Sequence, residues 1–505
     1  MTLTSVCKTL FFIFAREFCR MVNPPKVSLT PVGVRGMKSL DRDKFLRNIE
    51  VPILKVNDAK LVKITQICKP YFLKLENLKP LQSYQGEDNH DYNKCIYLNP
   101  ENISNWTDIS EHDRLALKEQ DIDETNFSYK EIQLSYNNWK VDSIFKAVLP
   151  ENEEMVSSYS QIGHILHLNL KDHLLDYKTL IGEVLLDKIK TCRTVVNKSN
   201  TIDNTYRNFS MEVIAGEKDF FVTVKENQCN FQFDFSKVYW NPRLGKEHER
   251  ILSFLQPGDV LFDVFCGVGP FSVPAAKKKK CKVYANDLNP ESYKWLNHNA
   301  KHNKVNMSLF KSYNMDGKDF IKNILREYLE SYCKSIEKHV SGAKIHITMN
   351  LPALAVEFLK YYKGLISNKS LEDKFDCEIV VYLYCFVIGE DCVKATKELV
   401  MEHFGSDITS NILEIFNVRN VSPKKEMMRV TIKLTKDIIF GECSEKDSEK
   451  CNDEPPVKKI FLISEQTRLQ PQKMPQQNYR KNSQYLPDYK DVLEESKKVG
   501  VYAYY

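Results

Sequence analysis

The amino-acid sequence predicts a multidomain α/β protein whose largest domain is a mostly parallel, doubly wound sheet. Its 505 residues exceed a single core, because domains typically contain about 100 to 200 residues. Apolar residues make up 42% of the chain and charged residues 28%, which is typical of globular proteins. After Tyr239, short apolar segments alternate with helical patterns, and this alternation predicts parallel strands with helices on both faces of the sheet.

Two smaller α/β or α+β domains are predicted before this sheet. Residues 39–134 contain short apolar segments, interrupted by a polar loop at residues 82–93, and predict the first domain. Residues 135–235 predict the second. Residues 236–440 hold the alternating pattern, whereas residues 441–505 are rich in acidic and polar side chains and predict a flexible tail.

The second small domain is predicted from four segments. An alternating run at residues 164–170 predicts a strand, and the pattern at residues 177–190 predicts a helix. Residues 209–214 and 219–224 predict a strand pair that turns at Gly216. These segments together predict a compact α/β unit.

The largest domain is predicted as a regular series of strands and helices. The predicted strands are residues 260–265, 282–287, 308–313, 344–350, 377–387, 411–418 and 427–434. The predicted helices are residues 268–278, 290–302, 318–334, 353–365 and 393–404. The last two strands follow each other without a helix, so they are predicted to be antiparallel.

The N-terminal segment, residues 1–22, predicts a mitochondrial targeting helix. It carries three basic residues and one acid, Glu17, among apolar side chains, and this composition is typical of an amphipathic targeting segment. A disordered leader is the alternative. Met21 could serve as a second start, so we expect the protein in the mitochondrial matrix and also in the cytoplasm and nucleus.

Composition excludes several other classes of protein. No window has the roughly 18 uncharged apolar residues that a membrane span needs. The 14 cysteines include no Cys-x-x-Cys pair, so neither a zinc ribbon nor a dense disulfide framework is indicated. A net charge of +5 permits a polyanionic partner without predicting one.

A glycine-rich motif at the end of the first strand of the large domain predicts a cofactor site. Asp263 is followed by Gly267 and Gly269, where the chain turns into the next helix. Glycines let the backbone approach a nucleotide, and the helix N-terminus faces the same place. A dinucleotide fingerprint is disfavoured, because Ser272 stands where it has Gly or Ala and Pro270 intervenes.

Two further acidic positions predict the rest of this site. Asp287 ends the next strand, 18 residues after Gly269, where a carboxylate can accept hydrogen bonds from both ribose hydroxyls. Asp316 and Gly317 follow the third strand, where adenine would lie. A purely structural glycine turn is the alternative, and the added acids make it the weaker one.

The fourth strand ends in Asn350, Leu351, Pro352 and Ala353. An amide at this position can hold both the sulfonium end of a methyl donor and a polar edge of an acceptor base. The segment resembles the Asn-Pro-Pro-Tyr motif of the methyltransferases that act on base nitrogens, although Leu351 and Ala353 depart from that form. The alternative, that Asn350 caps a helix begun by Pro352, is compatible with the functional role.

The glycine motif resembles the first motif of the class I (Rossmann-like) S-adenosylmethionine-dependent methyltransferases. The chain as a whole resembles the archaeal and eukaryotic tRNA guanine-N1 methyltransferases that modify position 37, beside the anticodon. This resemblance covers about residues 135–435 and is weaker over residues 39–134. It rests on the runs at residues 160–170, 206–217, 239–250, 263–271, 286–290 and 349–359.

The resemblance implies a role for several residues. Guanine N1 would lose its proton as it takes the methyl group of S-adenosylmethionine, so the chemistry needs a base and a partner for charge on O6. Glu247 matches the proposed base, Arg207 the arginine on O6, and Asn350 the asparagine that orients the guanine, while Tyr239 is expected to line the target pocket. The cofactor-binding positions are His248, Asp263, Gly267, Gly269, Asp287, Leu288, Asp316, Gly317 and Asn350.

Other interpretations of these residues and of the chain stay open at this point. Glu247 could belong to a helix-surface cluster with Lys246 and Arg250, Arg207 could be a solvated charge, and His248 could be a packed histidine. The chain could be the wybutosine-pathway transferase that donates an aminocarboxypropyl group, or a catalytically silent tRNA-binding scaffold. On the favoured interpretation it acts on tRNA as a monomer, with no metal and no membrane contact.

Overall fold

The computed structural model describes most of the chain. The chain divides into two compact units. The described residues are 27–84, 92–151, 156, 159–203, 208–334 and 343–441, without the side chains of residues 199–210. One unit contains the described residues up to Lys198 together with Met211–Asp219, and the other contains Ser199–Ser210 and the described residues from Phe220 onward. The predicted targeting segment, Arg207 and the predicted tail beyond residue 441 lie outside the described residues.

Two four-stranded sheets, with strand orders β2-β3-β1-β4 and β5-β6-β7-β8, belong to the first unit except for residues 199–203 and 208–210. The strands are β1 (Arg47–Val56), β2 (Leu81–Ser83), β3 (Lys94–Tyr97), β4 (Phe127–Leu134), β5 (Ser160–Ile162), β6 (Ile165–Leu168), β7 (Thr194–Asp203) and β8 (Asn208–Gly216). The helices are α1 (Leu61–Cys68), α2 (Glu111–Lys118), α3 (Val141–Val148) and α4 (Lys178–Lys188).

One hydrophobic core serves both sheets of the first unit. Val51 and Leu134 from the first sheet belong to the same buried cluster as Leu166 and Val195 from the second. Burial of such aliphatic side chains stabilises a fold by about 1.5 to 3 kcal/mol each. A second cluster, which includes Leu54, Ile96 and Trp106, contains residues from the first sheet and not from the second.

The predicted hairpin at Gly216 is wrong. Strand β8 ends at Gly216 and adjoins β7, whereas the next strand, β9 (Phe221–Glu226), pairs with β10 (Cys229–Asp234) in a separate two-stranded sheet. Gly216 has φ +83°, and a Cβ there would lie 2.1 Å from the carbonyl oxygen of Arg193. The glycine is needed for this close approach, because a side chain would collide with backbone.

The second unit is built on a seven-stranded sheet with strand order β13-β12-β11-β14-β15-β17-β16. The first five strands in that order are parallel, and β17 is antiparallel to both β15 and β16. The predicted mostly parallel sheet with two closing antiparallel strands is confirmed. The strands are β11 (Val260–Asp263), β12 (Lys282–Asn286), β13 (Phe310–Tyr313), β14 (Ile345–Met349), β15 (Ile379–Ile388), β16 (Ile412–Ser422) and β17 (Lys425–Leu434).

The helices of the second unit largely follow the predicted series. They are α5 (Gly245–Phe254), α6 (Ser272–Lys278), α7 (Pro290–His302), α8 (Arg326–Lys334), α9 (Cys392–Phe404) and α10 (Lys436–Phe440). A π-helical segment, Phe320–Leu325, precedes α8, and the segment predicted as a helix at residues 353–365 is a 3-10 helix, Ala355–Tyr362. No helix in the described part of the chain is long and apolar enough to cross a membrane.

The β9–β10 hairpin belongs to the second unit because buried amides join it to α7. Asn299 accepts a hydrogen bond from the backbone N–H of Gln232 at 2.8 Å, and Asn303 accepts one from Asn230 at 2.9 Å. Both asparagines are buried. The unit with the large sheet therefore begins before residue 236, where the sequence pattern placed its start.

Candidate active site

The turn between β11 and α6 contains two glycines, and a different physical reason favours glycine at each position. Gly267 and Gly269 both have positive φ, +54° and +96°. A Cβ at Gly269 would lie 2.8 Å from both Leu296 and Val273, whereas a Cβ at Gly267 would meet nothing within 4 Å. Packing therefore requires Gly269, while the backbone at Gly267 faces open space that a ligand can enter.

The fully buried carboxylate of Asp263 supports this turn from below. It accepts a hydrogen bond from Thr348 Oγ1 at 2.8 Å and one from Ser272 Oγ, so it joins the ends of β11 and β14 to the first residue of α6. Burial raises the pKa of Asp263 from 3.8 to about 6. Because Asp263 is fully buried, it shapes the glycine turn and does not face a ligand directly.

Asp287 lies beside this turn at the end of β12. Its Oδ2 accepts the backbone N–H of Gly267 at 2.8 Å, and its Oδ1 accepts that of Asn289 at 2.9 Å. Burial raises the pKa of this carboxyl. Leu288 follows with 45% of its surface exposed. The parallel register brings the two predicted cofactor positions, the glycine turn and Asp287, into direct contact.

Two asparagines that sequence reasoning missed hold these loops in place. The buried amide of Asn286 donates to the carbonyls of Val264 at 3.1 Å and Met315 at 3.0 Å. Asn314 donates to the carbonyls of Asp287 at 2.7 Å and Leu288 at 3.0 Å. Asn286 is a polar residue at the end of a mostly apolar strand, and Asn314 directly follows the next strand. The carbonyls that they bind belong to residues more than 20 positions away in the sequence.

Asp316 and Gly317 lie at the same edge of the sheet, after β13. Asp316 is exposed and accepts the backbone N–H of Lys318 at 2.7 Å, which caps the helical turn that follows. A Cβ at Gly317 would lie 2.8 Å from Phe265 and 3.1 Å from Phe358, so this position requires a small residue. Asp316 thus has an accessible carboxylate, and Gly317 allows the close packing beside it.

Glu247 is buried near the start of α5, with only 4% of its surface exposed. Its Oε1 accepts hydrogen bonds from Tyr384 OH and from Arg429 Nη1, both at 3.0 Å. Its Oε2 lies 3.3 Å from Nε of Arg250. The alternative of a helix-surface cluster does not describe this residue, although Arg250 is one of its partners. Two arginines and a tyrosine therefore hold this buried carboxylate in one position.

Tyr384 also connects Glu247 to the glycine turn. Its ring stacks on Phe271, which ends the glycine motif, with ring centroids 6.3 Å apart. Burial, and then the nearby Glu247, raise the pKa of Tyr384 well above its ordinary value, so the phenol remains a hydrogen-bond donor. Sequence reasoning missed Tyr384, because nothing in the pattern of a buried strand marks one tyrosine as a partner of a distant helix.

His248 is a packed histidine. It is 3% exposed, its Nδ1 lies 2.6 Å from Oε1 of Glu226, and its ring meets Phe271 edge-on at 4.7 Å. Glu226, at the end of β9, is another residue that sequence reasoning missed. The contact with Phe271 places His248 against the cofactor turn, where it fixes the packing of α5.

The remaining predicted residues lie at different places. Asn350 is half-buried directly after β14, at the edge of the sheet that also carries Asp263 and Asp287. Tyr239 is 59% exposed, and its hydroxyl accepts a hydrogen bond from Asn241 at 3.3 Å. Arg207 lies outside the described residues. The structure thus brings together the cofactor positions and Asn350, and it leaves Tyr239 open to solvent.

The raised pKa of Asp263 predicts a pH-dependent stability. The folded state holds this proton more tightly than the unfolded chain, so the contribution of Asp263 to the free energy of unfolding falls as the pH rises from about 4 to about 6. The pKa difference corresponds to about 3 kcal/mol. Asp263→Asn should lack this loss, so its melting temperature should rise relative to wild type over that range. Calorimetry at several pH values measures this, with the exposed Asp319→Asn as control. Parallel pH dependences of Asp263→Asn and wild type would contradict it.

Comparison with protein families identifies two matching segments. Residues 222–371 match the TRM5/TYW2 methyltransferase domain, and residues 141–219 match the TYW2 N-terminal domain. A crystal structure of wild-type Trm5b from Pyrococcus abyssi superposes with a TM-score of 0.50 and 23% identity. It covers 76% of this chain and 99% of that one, and this likeness concerns the fold.

Several curated proteins are similar over most of their length, and each has the name tRNA (guanine(37)-N(1))-methyltransferase. The protein of Drosophila pseudoobscura pseudoobscura is 48% identical over 81% of this chain and 91% of its own length. That of Xenopus tropicalis is 44% identical over 82% and 81%, and that of Mus musculus is 41% identical over 85% and 83%. With this identity over so much of both chains, and with the methyltransferase sheet described above, this chain belongs to the tRNA (guanine(37)-N(1))-methyltransferase family and is a methyltransferase.

Proposed function

We propose that this chain transfers the methyl group of S-adenosyl-L-methionine to N1 of guanosine 37 in tRNA. The observation that carries the proposal is the buried carboxylate of Glu247, held next to the glycine turn by Tyr384 and Arg429. A guanine N1–H must lose its proton on methylation, so a positioned base beside a methyl-donor site fits this chemistry. The names of the relatives support the same substrate.

The residues at the carboxyl edge of the sheet fit the proposed cofactor. The backbone at Gly267 borders open space, the carboxylate of Asp287 can hold ribose hydroxyls, and the exposed Leu288 offers an apolar surface for adenine. Asp316, also exposed, can accept a hydrogen bond from the adenine amino group. The cofactor supplies an electrophilic methyl group when it is bound.

We propose that Glu247 and Asn350 both act on the target guanine. Glu247 takes the N1 proton while Asn350 orients the ring, and both act on the same edge of the base. Arg207 is proposed to stabilise the charge that develops on O6, and Tyr239 to contact the flipped nucleotide. A flipped guanine can reach these groups because base-modifying enzymes extract their target from the stack.

A labelling experiment tests this function. Purified protein is incubated with methyl-labelled S-adenosylmethionine and tRNA transcripts that carry each of the four nucleotides at position 37. Label should enter only the guanosine-37 transcript, as N1-methylguanosine on nuclease digestion. Binding of tRNA without transfer would instead indicate a scaffold. Light scattering on the same preparation tests the further proposal that the active form is a monomer.

A second candidate is transfer of the aminocarboxypropyl group from the same cofactor. The match of residues 141–219 to a TYW2 N-terminal domain is the observation that favours it. The sequence Asn350-Leu351-Pro352 at the edge of the sheet supports methyl transfer instead. Cofactor labelled in the aminocarboxypropyl carbons separates the two, because only this second activity would pass that label to tRNA.

The first prediction from this function concerns Asp287. Asp287→Ala should weaken binding of S-adenosylmethionine by at least about tenfold, because charge-assisted hydrogen bonds to the ribose are lost. Affinity for tRNA should change by only a few-fold, since the carboxylate faces the cofactor turn. Calorimetry with each ligand measures both, and Asp319→Ala is the exposed control. Unchanged cofactor affinity in a folded variant would show that the nucleotide site is elsewhere.

The second prediction concerns Glu247. Glu247→Gln keeps the shape of the side chain and removes the base, so the single-turnover rate of methyl transfer should fall by at least about 100-fold. Cofactor and tRNA affinities should change by only a few-fold. Raising the pH should restore part of the rate, because solvent can then remove the N1 proton. The matched control is Glu249→Gln, an exposed glutamate on the same helix. A rate near that of wild type would exclude Glu247 as the base.

We also propose that the protein works both in the mitochondrial matrix and in the cytoplasm and nucleus. The support is the basic, apolar composition of residues 1–22 and the internal Met21. Residues 1–20 fused to a fluorescent reporter should direct a fraction of it into mitochondria. The control replaces Lys8, Arg16 and Arg20 by Gln, which should abolish import. A wholly cytosolic reporter with the native segment would refute the targeting proposal.

A further inference from the structure

Arg429 on β17 is a fully buried arginine that joins two glutamates. Its Nη1 donates to Glu247 Oε1 at 3.0 Å, and its Nη2 donates to Glu414 Oε2 at 2.5 Å. The guanidinium lies 5.1 Å from the ring of Phe416 and 5.4 Å from that of Phe254. A buried arginine is rare and costs free energy of desolvation unless it is paired, so this one is held by its two carboxylates.

The two oxygens of Glu247 have different surroundings. Oε1 receives two donors from strands of the sheet, Tyr384 and Arg429, and both of these side chains are fully buried. Oε2 faces Arg250, which lies one turn along the same helix and whose side chain is 44% exposed. Arg250 also lies 4.1 Å from the ring of Phe416, and an ion pair with one exposed partner separates more readily than a pair in which both partners are buried.

We propose that Arg429 is a positioning residue, which together with Tyr384 fixes Oε1 of Glu247 so that Oε2 accepts the proton of the target base. Arg250 moves away from Oε2 when the guanine enters. This inference rests on the proposed function of Glu247 as the base. It also goes beyond that function, because it assigns the reacting oxygen and names the residue that selects it.

The proton and electron balance of the step is consistent with this arrangement. The N1–H bond breaks and its proton goes to Oε2, while the electron pair on N1 forms the new bond to the methyl carbon and the bond from that carbon to sulfur breaks. Glu247 becomes a neutral carboxylic acid whose Oε1 still accepts hydrogen bonds from Arg429 and Tyr384. Arg429 therefore keeps Glu247 in place both before and after proton transfer.

The same pairing should determine the pH dependence of the reaction. The charged and titratable groups around Glu247 are Arg250 and His248 on its own helix, Tyr384 on β15 and Arg429 on β17, with Glu414 of β16 behind Arg429. Removing the buried cation leaves a buried carboxylate that holds its proton to higher pH. The acidic limb of the rate profile should then move upward.

The test measures single-turnover methyl transfer to a guanosine-37 transcript by the full chain over a range of pH. Arg429→Met should lower the rate at neutral pH by at least about tenfold and move the acidic limb upward by about one pH unit or more. Arg429→Lys keeps a positive charge, so it should restore part of the rate and move the acidic limb part of the way back. Tyr384→Phe, which removes the other donor to Oε1, should cause a smaller loss of the same kind. Lys433→Ala, an exposed lysine on the same strand, should match wild type.

A double-mutant cycle separates positioning from general damage. If Arg429 acts through Glu247, then Arg429→Met should slow the Glu247→Gln enzyme by no more than about two-fold. If Arg429→Met does not fold, Arg429→Lys and Tyr384→Phe serve in the same cycle. The inference would be overturned if Arg429→Met lowered the rate equally in the wild-type and Glu247→Gln enzymes, or if it left the pH profile of the rate unchanged, while the wild-type chain is active. Absence of transfer by the wild-type chain would instead overturn the proposed function.

Discussion

The buried carboxylate of Asp263 is the constraint on which the cofactor edge of the sheet depends. Through Thr348 and Ser272 it joins two adjacent strands to the helix that follows the glycine turn. A buried carboxylate without these donors would cost several kcal/mol, so the hydroxyls and the turn are selected together. Once this turn is fixed, the N–H of Gly267 meets Asp287, and the second loop of the site is placed by the first.

Glu247, the proposed base, is held by a different kind of interaction. Glu247 lies on a helix that precedes the sheet, and its partners Tyr384 and Arg429 lie on strands 137 and 182 residues away in the sequence. The hydrogen bond from Arg429 depends on the antiparallel strand β17, which pairs with β15. The closing strands of the sheet thus do more than cover its edge, because they carry the group that holds the base.

The difference between these two interactions explains what the sequence could and could not predict. The glycine turn and Asp287 are local patterns at the ends of strands, so their contact followed from the parallel order. Arg429 and Glu226 could not be found in this way, because each sits in an ordinary strand pattern and acquires its role from a partner far along the chain. The hairpin predicted at Gly216 failed for a related reason, since two neighbouring strands predict a pair only if both lie in the same sheet.

The difference between the two interactions also bears on the proposed proton transfer. A general base must be ionised before the reaction. The site around it must nevertheless exclude the water that would compete for the target proton. A buried carboxylate is stabilised by a buried cation beside it, and Arg429 is that cation for Glu247. That cation must not occupy the oxygen that reacts. Arg429 contacts Oε1 from the sheet, whereas Oε2 lies beside Arg250, whose side chain is partly exposed. On the proposed mechanism, this one buried ion pair holds Oε1 of Glu247 and leaves Oε2 for the substrate.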